Sequence, residues 1–314
     1  MYATDLKYAL VTLAKGPFFY QTLRKMLRTL RYQKKPHQLV IVHNYKDDLS
    51  EYNRLLRKPV RSPEDILRMR EVAPIRSLSN EFADQHLFMI YHDDGETSIA
   101  TAKLLGWKQV SSEVDVVIFC DSDCLFFPGS IQAALEAHAE KSGRCVRCRQ
   151  HRLPKSVCEK SDLSGLETLI FLRKQYEERL LPSNTSYGFF QSVEQQYMNL
   201  SDGGWLDLPP HGWGFDDEAF WNVCQAMGME IHVPKDCVVF HQWHPSNRGP
   251  WWEKWYPSRD FMIPHLIEKI RDVRERMKQH GWRAIPTKPR ERDLIKLIRD
   301  EDQRIRVATE LGIS

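Results

Sequence analysis

Two aspartates one residue apart follow the most apolar run in the middle of the chain. Residues 114–120 are largely apolar, and Asp121, Ser122 and Asp123 come directly after them. A continuous apolar run that ends in polar residues is typical of a buried strand in a parallel sheet. Alternate residues of an extended chain point to the same side, so both carboxylates could reach one hard divalent cation. A turn that simply ends the strand would also explain these residues.

A second acidic group stands in the last third of the chain. Asp216, Asp217 and Glu218 follow the glycine-flanked turn 211–215, which reads His-Gly-Trp-Gly-Phe, and residues 219–227 have helical spacing. Acidic side chains at the start of a helix interact favourably with the helix dipole. Helix capping alone could therefore account for this group.

The segments that carry these residues alternate between strand and helix patterns. Short apolar runs predict strands at 8–13, 39–43, 87–91, 114–120 and 238–241, the last of which ends in His241. Helical patterns begin at Pro17, recur in part of 46–72 and cover 97–110. This alternation predicts an α/β fold with a mostly parallel sheet and helices on both faces.

The second half of the chain is less regular. We expect helices over 128–139 and near 163–181, a strand over 144–149, and a polar insertion over 151–204 that shapes a pocket. Seven tryptophans lie between residues 205 and 255. That number exceeds what core packing needs, so two or three of them are expected to line a site.

The C-terminal segment is expected to form a basic helical extension. Four apolar residues after Pro264 share one helix face, and a second charged helix is expected from about 290 to 311. The four residues are Leu266, Ile270, Val273 and Met277. Residues 264–314 hold 13 Lys and Arg against 9 Asp and Glu, so a peripheral contact with an anionic membrane surface is one possibility. Packing of these helices on the main domain is the favoured interpretation.

The composition limits the class of protein. The 314 residues are 42% hydrophobic, enough for one large core, and a net charge of +3 gives no strong nucleic-acid signal. No run approaches the roughly 20 apolar residues of a membrane span, and the first residues lack the features of a signal peptide. We therefore expect a cytoplasmic location.

The cysteines give little sign of a metal site. Seven is an odd number, and reduced thiols are expected. Cys145, Cys148, His151 and Cys158 could be considered as zinc ligands. A single Cys-x-x-Cys pair without a second matching pair is weak evidence for such a site.

The motifs in their order resemble those of inverting glycosyltransferases with the GT-A fold. The chain has a strand ending in Asp-x-Asp, then Trp-Gly-x-Asp-Asp before a helix, then a histidine at a strand end. The resemblance is to family-2-like enzymes and to galactosyl- and N-acetylgalactosaminyl-transferases with a Gly-Trp-Gly-x-Glu-Asp turn. It covers roughly residues 6–244. Residues 93–106 are also similar to that family's Gly-x-x-x-Ala-Arg-Asn-x-Gly segment, with Lys103 in place of the arginine.

The resemblance implies a division of the chain. Residues 1–260 would form the GT-A domain, with a nucleotide-binding half over about 1–127 and an acceptor half over 128–260. Residues 261–314 would be the helical extension.

The resemblance also implies a divalent cation, Mn²⁺ or Mg²⁺. Asp123 and His241 would be protein ligands, and Asp121 would contact the ribose or reach the metal through water. Such a cation neutralises charge on a diphosphate leaving group. A carboxylate with an imidazole suits Mn²⁺ somewhat better than Mg²⁺.

A nucleotide-sugar donor, UDP-linked by this resemblance, would lie at the ends of the first strands. Asn44 stands where the family usually has an acid that reads uracil. The full set of implied donor-binding residues is Thr12, Ala14, Asn44, Asp94, Lys103, Asp121, Ser122 and Arg248. Arg248 belongs to the loop 242–252, which the resemblance suggests is a lid over the diphosphate.

The acceptor would be a glycan or another hydroxyl-bearing molecule. Asp217 matches the family's catalytic aspartate and would take the acceptor proton as general base, with inversion at the sugar carbon. Asp216 would bind acceptor hydroxyls. Trp213 would stack on a sugar, and Gly214 would let the backbone approach closely.

Two other functions fit parts of the pattern. A sugar-nucleotide nucleotidyltransferase would need a glycine-rich basic loop after the first strand, but residues 13–17 read Leu-Ala-Lys-Gly-Pro. A catalytically inactive sugar-binding module would not need Asp123, Asp217 and His241 together.

Overall fold

The computed structural model describes most of the chain. The described residues are 3, 5–14, 17–44, 46–84, 87–91, 99–160, 162–182, 190–204, 216–244, 251–282 and 291–313. Among them the strands are β1 (Tyr8–Ala14), β2 (Gln38–His43), β3 (Leu87–Tyr91), β4 (Val116–Asp121), β5 (Cys124–Phe126), β6 (Arg144–Arg147), β7 (Arg149–Arg152), β8 (Leu181–Pro182), β9 (Phe190–Glu194), β10 (Glu230–His232) and β11 (Val238–His241).

The helices of the described residues follow the same chain order. They are α1 (Pro17–Thr29), α2 (Leu49–Leu56), α3 (Pro63–Val72), α4 (Pro74–Glu81), α5 (Ile99–Trp107), α6 (Ser130–Glu140), α7 (Lys155–Lys160), α8 (Leu166–Tyr176), α9 (Gln195–Leu200), α10 (Asp216–Ala226), α11 (Trp251–Gln279), α12 (Glu291–Ile295) and α13 (Glu301–Glu310). Short 3₁₀ turns follow α1 at Leu30–Tyr32 and α8 at Glu177–Arg179. None of the helices described has the combined length and apolarity that crossing a bilayer requires.

A seven-stranded sheet forms the centre of the molecule, in the order β10-β6-β9-β4-β1-β2-β3. Strand β9 runs antiparallel to both of its neighbours, and the other pairs are parallel. The predicted strands 8–13, 39–43, 87–91 and 114–120 all belong to this sheet. Strand β9 instead falls in the segment 151–204, which the sequence predicts to be an irregular insertion.

Helices cover both faces of this sheet, as predicted. Alternate residues of each strand enter different cores, because successive side chains of a strand point to opposite faces. Val11 and Phe119 join the core under α10 and α11, whereas Leu10 and Ile118 join the core under α1 and α6. Both faces of the central strands are therefore fully buried, which explains their continuous apolar runs.

A smaller four-stranded sheet, ordered β5-β11-β7-β8, continues from the end of β4. Strand β11 pairs antiparallel with β5, so that His241 lies opposite Cys124. It also pairs in parallel with β7, with His241 opposite Arg152. This pairing brings the end of β11 beside the Asp-Ser-Asp triplet, although the two segments are more than 110 residues apart.

Helix α5 lies unusually close to the sheet at a glycine. A Cβ at Gly106 would stand 2.5 Å from Val11 Cγ1 and 3.2 Å from Val42 Cγ2. A larger residue would thus push α5 away from β1 and β2. The close approach holds Lys103, one turn earlier, against the carboxyl edge of the sheet.

The C-terminal helices pack on the main domain, as predicted. All four apolar residues of the predicted face, Leu266, Ile270, Val273 and Met277, are buried in the core that contains Val11 and Phe119. Helix α11 runs without interruption across the expected domain boundary between 260 and 261. The basic residues here are largely paired with acids, for example Arg271 with Glu291 at 2.6 Å.

Two details of this extension differ from the prediction. The single helix expected over about 290–311 is two helices, α12 and α13, because Asp300 caps the second one by accepting from the Gln303 backbone N–H at 2.7 Å. Pro264 lies inside α11 rather than near its start. Proline has no N–H for the carbonyl of Asp260, and the Gln303 side-chain amide donates to that carbonyl instead, at 3.3 Å.

Candidate metal centre and active site

Asp123, His241 and His244 form a compact group of possible metal ligands at the carboxyl edge of the sheet. Asp123 Oδ2 lies 3.2 Å from His241 Nε2 and 3.3 Å from His244 Nε2. One ligand atom from each residue lies within 4.8 Å of the others. We call these three residues the edge cluster. The predicted ligands Asp123 and His241 are indeed brought together, and His244 joins them.

Local structure fixes the three side chains from different elements. The Gln242 backbone N–H donates to the Asp123 carbonyl at 2.9 Å, which extends the β5–β11 pairing. The Gln242 side chain donates to the Thr22 carbonyl of α1 at 3.1 Å. The ring of His244 rests 5.4 Å from that of Phe19, also on α1. Helix α1 therefore sets the path of the chain after β11.

The chemistry of the edge cluster fits a divalent cation. The Asp123 side chain is only 4% exposed. Its Oδ1 atom is buried with no hydrogen-bond partner among the residues that the structure describes. Such an acceptor is costly to bury unless something satisfies it. A cation held by this carboxylate and two imidazoles would do so, and ligands of these types bind divalent metal ions.

Asp121 is not one of the three clustered residues. Its Oδ1 lies 3.4 Å from Nζ of Lys103, which is almost fully buried. The two aspartates do not lie in one extended segment, because β4 ends at Asp121 and residues 122 and 123 form a turn. The turn separates the two carboxylates, so that one is near a lysine and the other is near two histidines.

The other residues predicted to bind a donor lie along the same edge. Register places Thr12 opposite Cys120 and Ala14 opposite His43, one residue before Asn44. Thr12, Ala14 and Ser122 are buried, and Asn44 is half-buried. Burial raises the pKa of the Cys120 thiol, so this residue stays neutral beside the carboxylates.

Several predicted residues lie outside the described part of the chain. They are Asp94, Trp213, Gly214 and Arg248. Asp216 and Asp217 form the first turn of α10, where the structure describes their backbone. The predicted lid 242–252 is described at 242–244, and helix α11 already begins at Trp251.

A second histidine–carboxylate group, with a serine, connects α6 and β9. His138 Nε2 is 2.8 Å from Ser192 Oγ, and His138 Nδ1 is 3.9 Å from Glu194 Oε1. We call His138, Ser192 and Glu194 the Glu194 network. Its residue types match those of a serine-hydrolase triad, but Ser192 is fully buried and His138 nearly so. A substrate could not reach this serine, so the network is structural.

The cysteines considered for zinc are separated by the sheet. Cys145 packs in the core under α10, and Cys148 packs in the core under α6 on the opposite face. All seven cysteines are free thiols. Two of the seven clustered tryptophans have described contacts with cations. The Arg147 guanidinium carbon lies 4.4 Å from the centre of the Trp221 ring, and Lys155 Nζ lies 4.9 Å from that of Trp243.

His244 is the residue that sequence reasoning missed. It follows His241 by three positions, beyond the end of the predicted strand, where neither helical nor strand periodicity applies. A His-x-x-His spacing after a strand end was the one signal that pointed to it.

The sequence matches no protein-family model and no curated protein. Its fold does match solved structures. S. aureus TarS 1–349 in complex with UDP-GlcNAc matches with a TM-score of 0.55 and 11% identity, over 97% of this chain and 83% of that one. GalNAc-T7 with UDP, GalNAc and Mn²⁺ matches with a TM-score of 0.52 and 10% identity, over 88% of this chain and 55% of that one. At such identities the likeness shows the fold, which is the predicted GT-A glycosyltransferase fold.

Proposed function

We propose that this protein is a metal-dependent glycosyltransferase that moves a sugar from a UDP-linked donor to an acceptor hydroxyl with inversion. The observation that carries the proposal is the buried, unsatisfied Asp123 carboxylate oxygen beside two imidazoles at the carboxyl edge of the sheet. Open α/β sheets bind ligands at this edge. The fold is shared with one structure that holds UDP-GlcNAc and one that holds UDP and Mn²⁺.

Asp123, His241 and His244 would hold the cation. A bound Mn²⁺ or Mg²⁺ would neutralise the charge that develops on the diphosphate as it leaves. A second imidazole strengthens the preference for Mn²⁺ over Mg²⁺, because nitrogen ligands suit Mn²⁺ better. The surrounding burial strengthens every charge interaction at the site.

Lys103 and Asp121 would face the donor together. The lysine carries a positive charge toward the place of the phosphates, and Asp121 holds that charge at the sheet edge, 3.4 Å away. Asp121 would also accept a hydrogen bond from the ribose. The remaining proposed donor contacts are Thr12, Ala14, Asn44, Asp94, Ser122 and Arg248.

Asp217 would act as the general base. It would take the proton of the acceptor hydroxyl as that oxygen attacks the sugar carbon from the face opposite the nucleotide. Asp216 would bind other acceptor hydroxyls, while Trp213 and Gly214 would shape the acceptor site. The acceptor class is a glycan or another molecule that offers a hydroxyl.

The test is a screen of UDP-sugars with hydroxyl acceptors, in Mn²⁺ and in excess chelator. We expect UDP release that needs the metal, and a product whose anomeric configuration, read by NMR, is inverted. A sugar-binding module would bind donor without release, and a nucleotidyltransferase would release pyrophosphate from a nucleoside triphosphate. Full turnover in chelator would contradict the metal site, and a retained configuration would remove Asp217 as the base.

A further inference from the structure

Arg147, the last residue of β6, is completely buried. A guanidinium remains protonated in proteins, so this side chain brings a permanent positive charge into the core. Buried charges persist only where opposite charge and hydrogen bonds compensate for the lost hydration. The groups around the Arg147 guanidinium therefore indicate the role of this buried charge.

The strand register directs Arg147 toward helix α10. Arg147 pairs with Gln191 of β9, and Gln191 pairs in turn with Phe119 of β4. Cys145, two residues earlier on β6, packs in the core under α10. Because alternate residues share a face, Arg147 lies on the α10 side as well.

Contacts with two aromatic rings confirm this placement. The guanidinium carbon of Arg147 stands 4.4 Å from the ring of Trp221 and 5.8 Å from that of Phe220, both on α10. Aromatic faces attract a cation, and a carboxylate on the same helix would attract it more strongly.

The same helix supplies carboxylates one turn away. Trp221 follows Asp217 by four residues, and Phe220 follows Asp216 by four, so each ring shares a helix face with an acidic residue of the first turn. Glu218 completes three consecutive acids at this end of α10. Arg147 is thus a fully buried cation that contacts the helix whose first turn is acidic.

We propose that Arg147 is a positioning residue, whose buried charge holds the acidic first turn of α10 in place. This inference deepens the proposed function, because that turn carries the proposed general base. Without the guanidinium, three adjacent like charges would repel one another and the first turn would loosen. The base would then lose its fixed distance to the acceptor hydroxyl.

A double-mutant cycle on thermal unfolding tests the charge coupling without any assay of transfer. Arg147→Met is combined in turn with Asp216→Asn, Asp217→Asn and Glu218→Gln. We compare the change in melting temperature that each acid substitution causes in the wild-type and Arg147→Met backgrounds. For at least one acid, we expect this change to be more positive in the Arg147→Met background. Strictly additive shifts for all three acids would overturn the proposal. Should Arg147→Met fail to fold, Arg147→Gln carries the same cycle.

Arg144 offers a matched control on the same strand. It is also buried, but it donates to Glu140 at 2.6 Å and to the Ala137 carbonyl, both on α6. Arg144→Met should lower the melting temperature and show additive shifts with each acid variant of α10. Equal coupling for Arg144 and Arg147 would mean that the cycle reports general loosening, which would also overturn the proposal.

Kinetics distinguish positioning from a purely structural role. Arg147→Met should lower kcat by about tenfold to a hundredfold, as expected for a displaced catalytic group, with donor KM nearly unchanged. Arg147→Lys should recover part of that loss. Unchanged kcat in well-folded Arg147→Met would overturn the positioning role. Absence of transfer in the wild type would instead refute the proposed function, while the unfolding cycle would still decide the coupling.

Discussion

The edge cluster and the Glu194 network contain the same two chemical groups, yet they differ in how their carboxylates are satisfied. Both oxygens of Glu194 accept hydrogen bonds, from the Gly143 backbone, from Ser142 and from Gln196. One oxygen of Asp123 has no such partner in the described part of the chain. A satisfied, partly buried carboxylate stabilises the fold, whereas an unsatisfied buried one at a sheet edge marks a place for a ligand.

The largest effect should come from removing the Asp123 carboxylate. Asp123→Asn should lower metal-dependent transfer by at least about a thousandfold, since several kcal/mol of charge stabilisation depend on the cation. Its metal-free melting temperature should not fall, because the change removes a costly buried charge. Transfer assays with calorimetric Mn²⁺ titration measure both. His244→Ala and His241→Ala should each weaken Mn²⁺ binding.

The matched control is Glu194→Gln in the other group. It should lower the melting temperature and leave Mn²⁺ binding and the turnover of the folded protein unchanged. If Asp123→Asn behaved like Glu194→Gln, with lower stability and normal turnover, the contrast between the two groups would be lost.

The acidic first turn of α10 either carries a catalytic carboxylate or only caps the helix. Asp217→Asn distinguishes these two roles. If Asp217 is the base, transfer should fall by at least about a hundredfold while donor binding stays near normal, because the amide cannot take a proton. If it only caps the helix, stability should fall by about 1 kcal/mol with little change in rate. Rate and melting temperature are measured on one sample. Asp216→Asn is the control, and it should mainly weaken acceptor binding.

The Glu194 network should reveal itself through the dependence of stability on pH. Burial raises the pKa of Glu194, but His138, Ser142 and the Gly143 backbone outweigh it and hold the pKa below its usual value. A depressed pKa contributes stability above the unfolded-state pKa of about 4.3, and that stability is lost as the pH falls through the folded-state value. Glu194→Gln should cost about 1–3 kcal/mol at pH 7.

Urea unfolding between pH 7 and 3 measures this difference. The gap between wild type and Glu194→Gln should narrow as the solution is acidified below about pH 4.3, since protonation removes the same charge from the wild type. Parallel stability curves down to pH 3 would show that Glu194 contributes nothing through its charge.

Much of the fold follows from the sequence, because its central strands are buried on both faces. Residues 8–13 and 114–120 therefore appear as continuous apolar runs, and they form β1 and β4. Strand β9 was missed since Gln191 and Ser192 are polar yet buried between two other strands. The sequence predicts that this helix begins only after Pro264, because proline is typical of a helix boundary. In the structure α11 continues through Pro264, and the Gln303 side chain donates to the Asp260 carbonyl that the proline leaves without a helical partner.

The candidate site was predicted in part. Asp123 and His241 end recognisable apolar runs, so their meeting follows from the order of elements and the resemblance. The different surroundings of Asp121 and Asp123 depend on the turn at residues 122 and 123. The sequence of the triplet alone does not decide between a turn and an extended chain. His244 depends on packing against Phe19, a contact across more than 220 residues. Trp213, Gly214, Asp94 and Arg248 stay predictions.

The smallest expected effect concerns a third, partly buried acceptor, the Asp260 carbonyl inside α11. Pro264 deprives it of its helical partner, and Gln303 of α13 donates to it at 3.3 Å. Gln303→Met should therefore cost about 1 kcal/mol of stability and speed hydrogen exchange in α13, with transfer unchanged. In a Pro264→Ala background the helix supplies its own N–H, so the same substitution should cost much less. An equal cost in both backgrounds would show that the carbonyl does not need Gln303, and that an unsatisfied acceptor in this fold is a poorer guide to function than the edge cluster suggests.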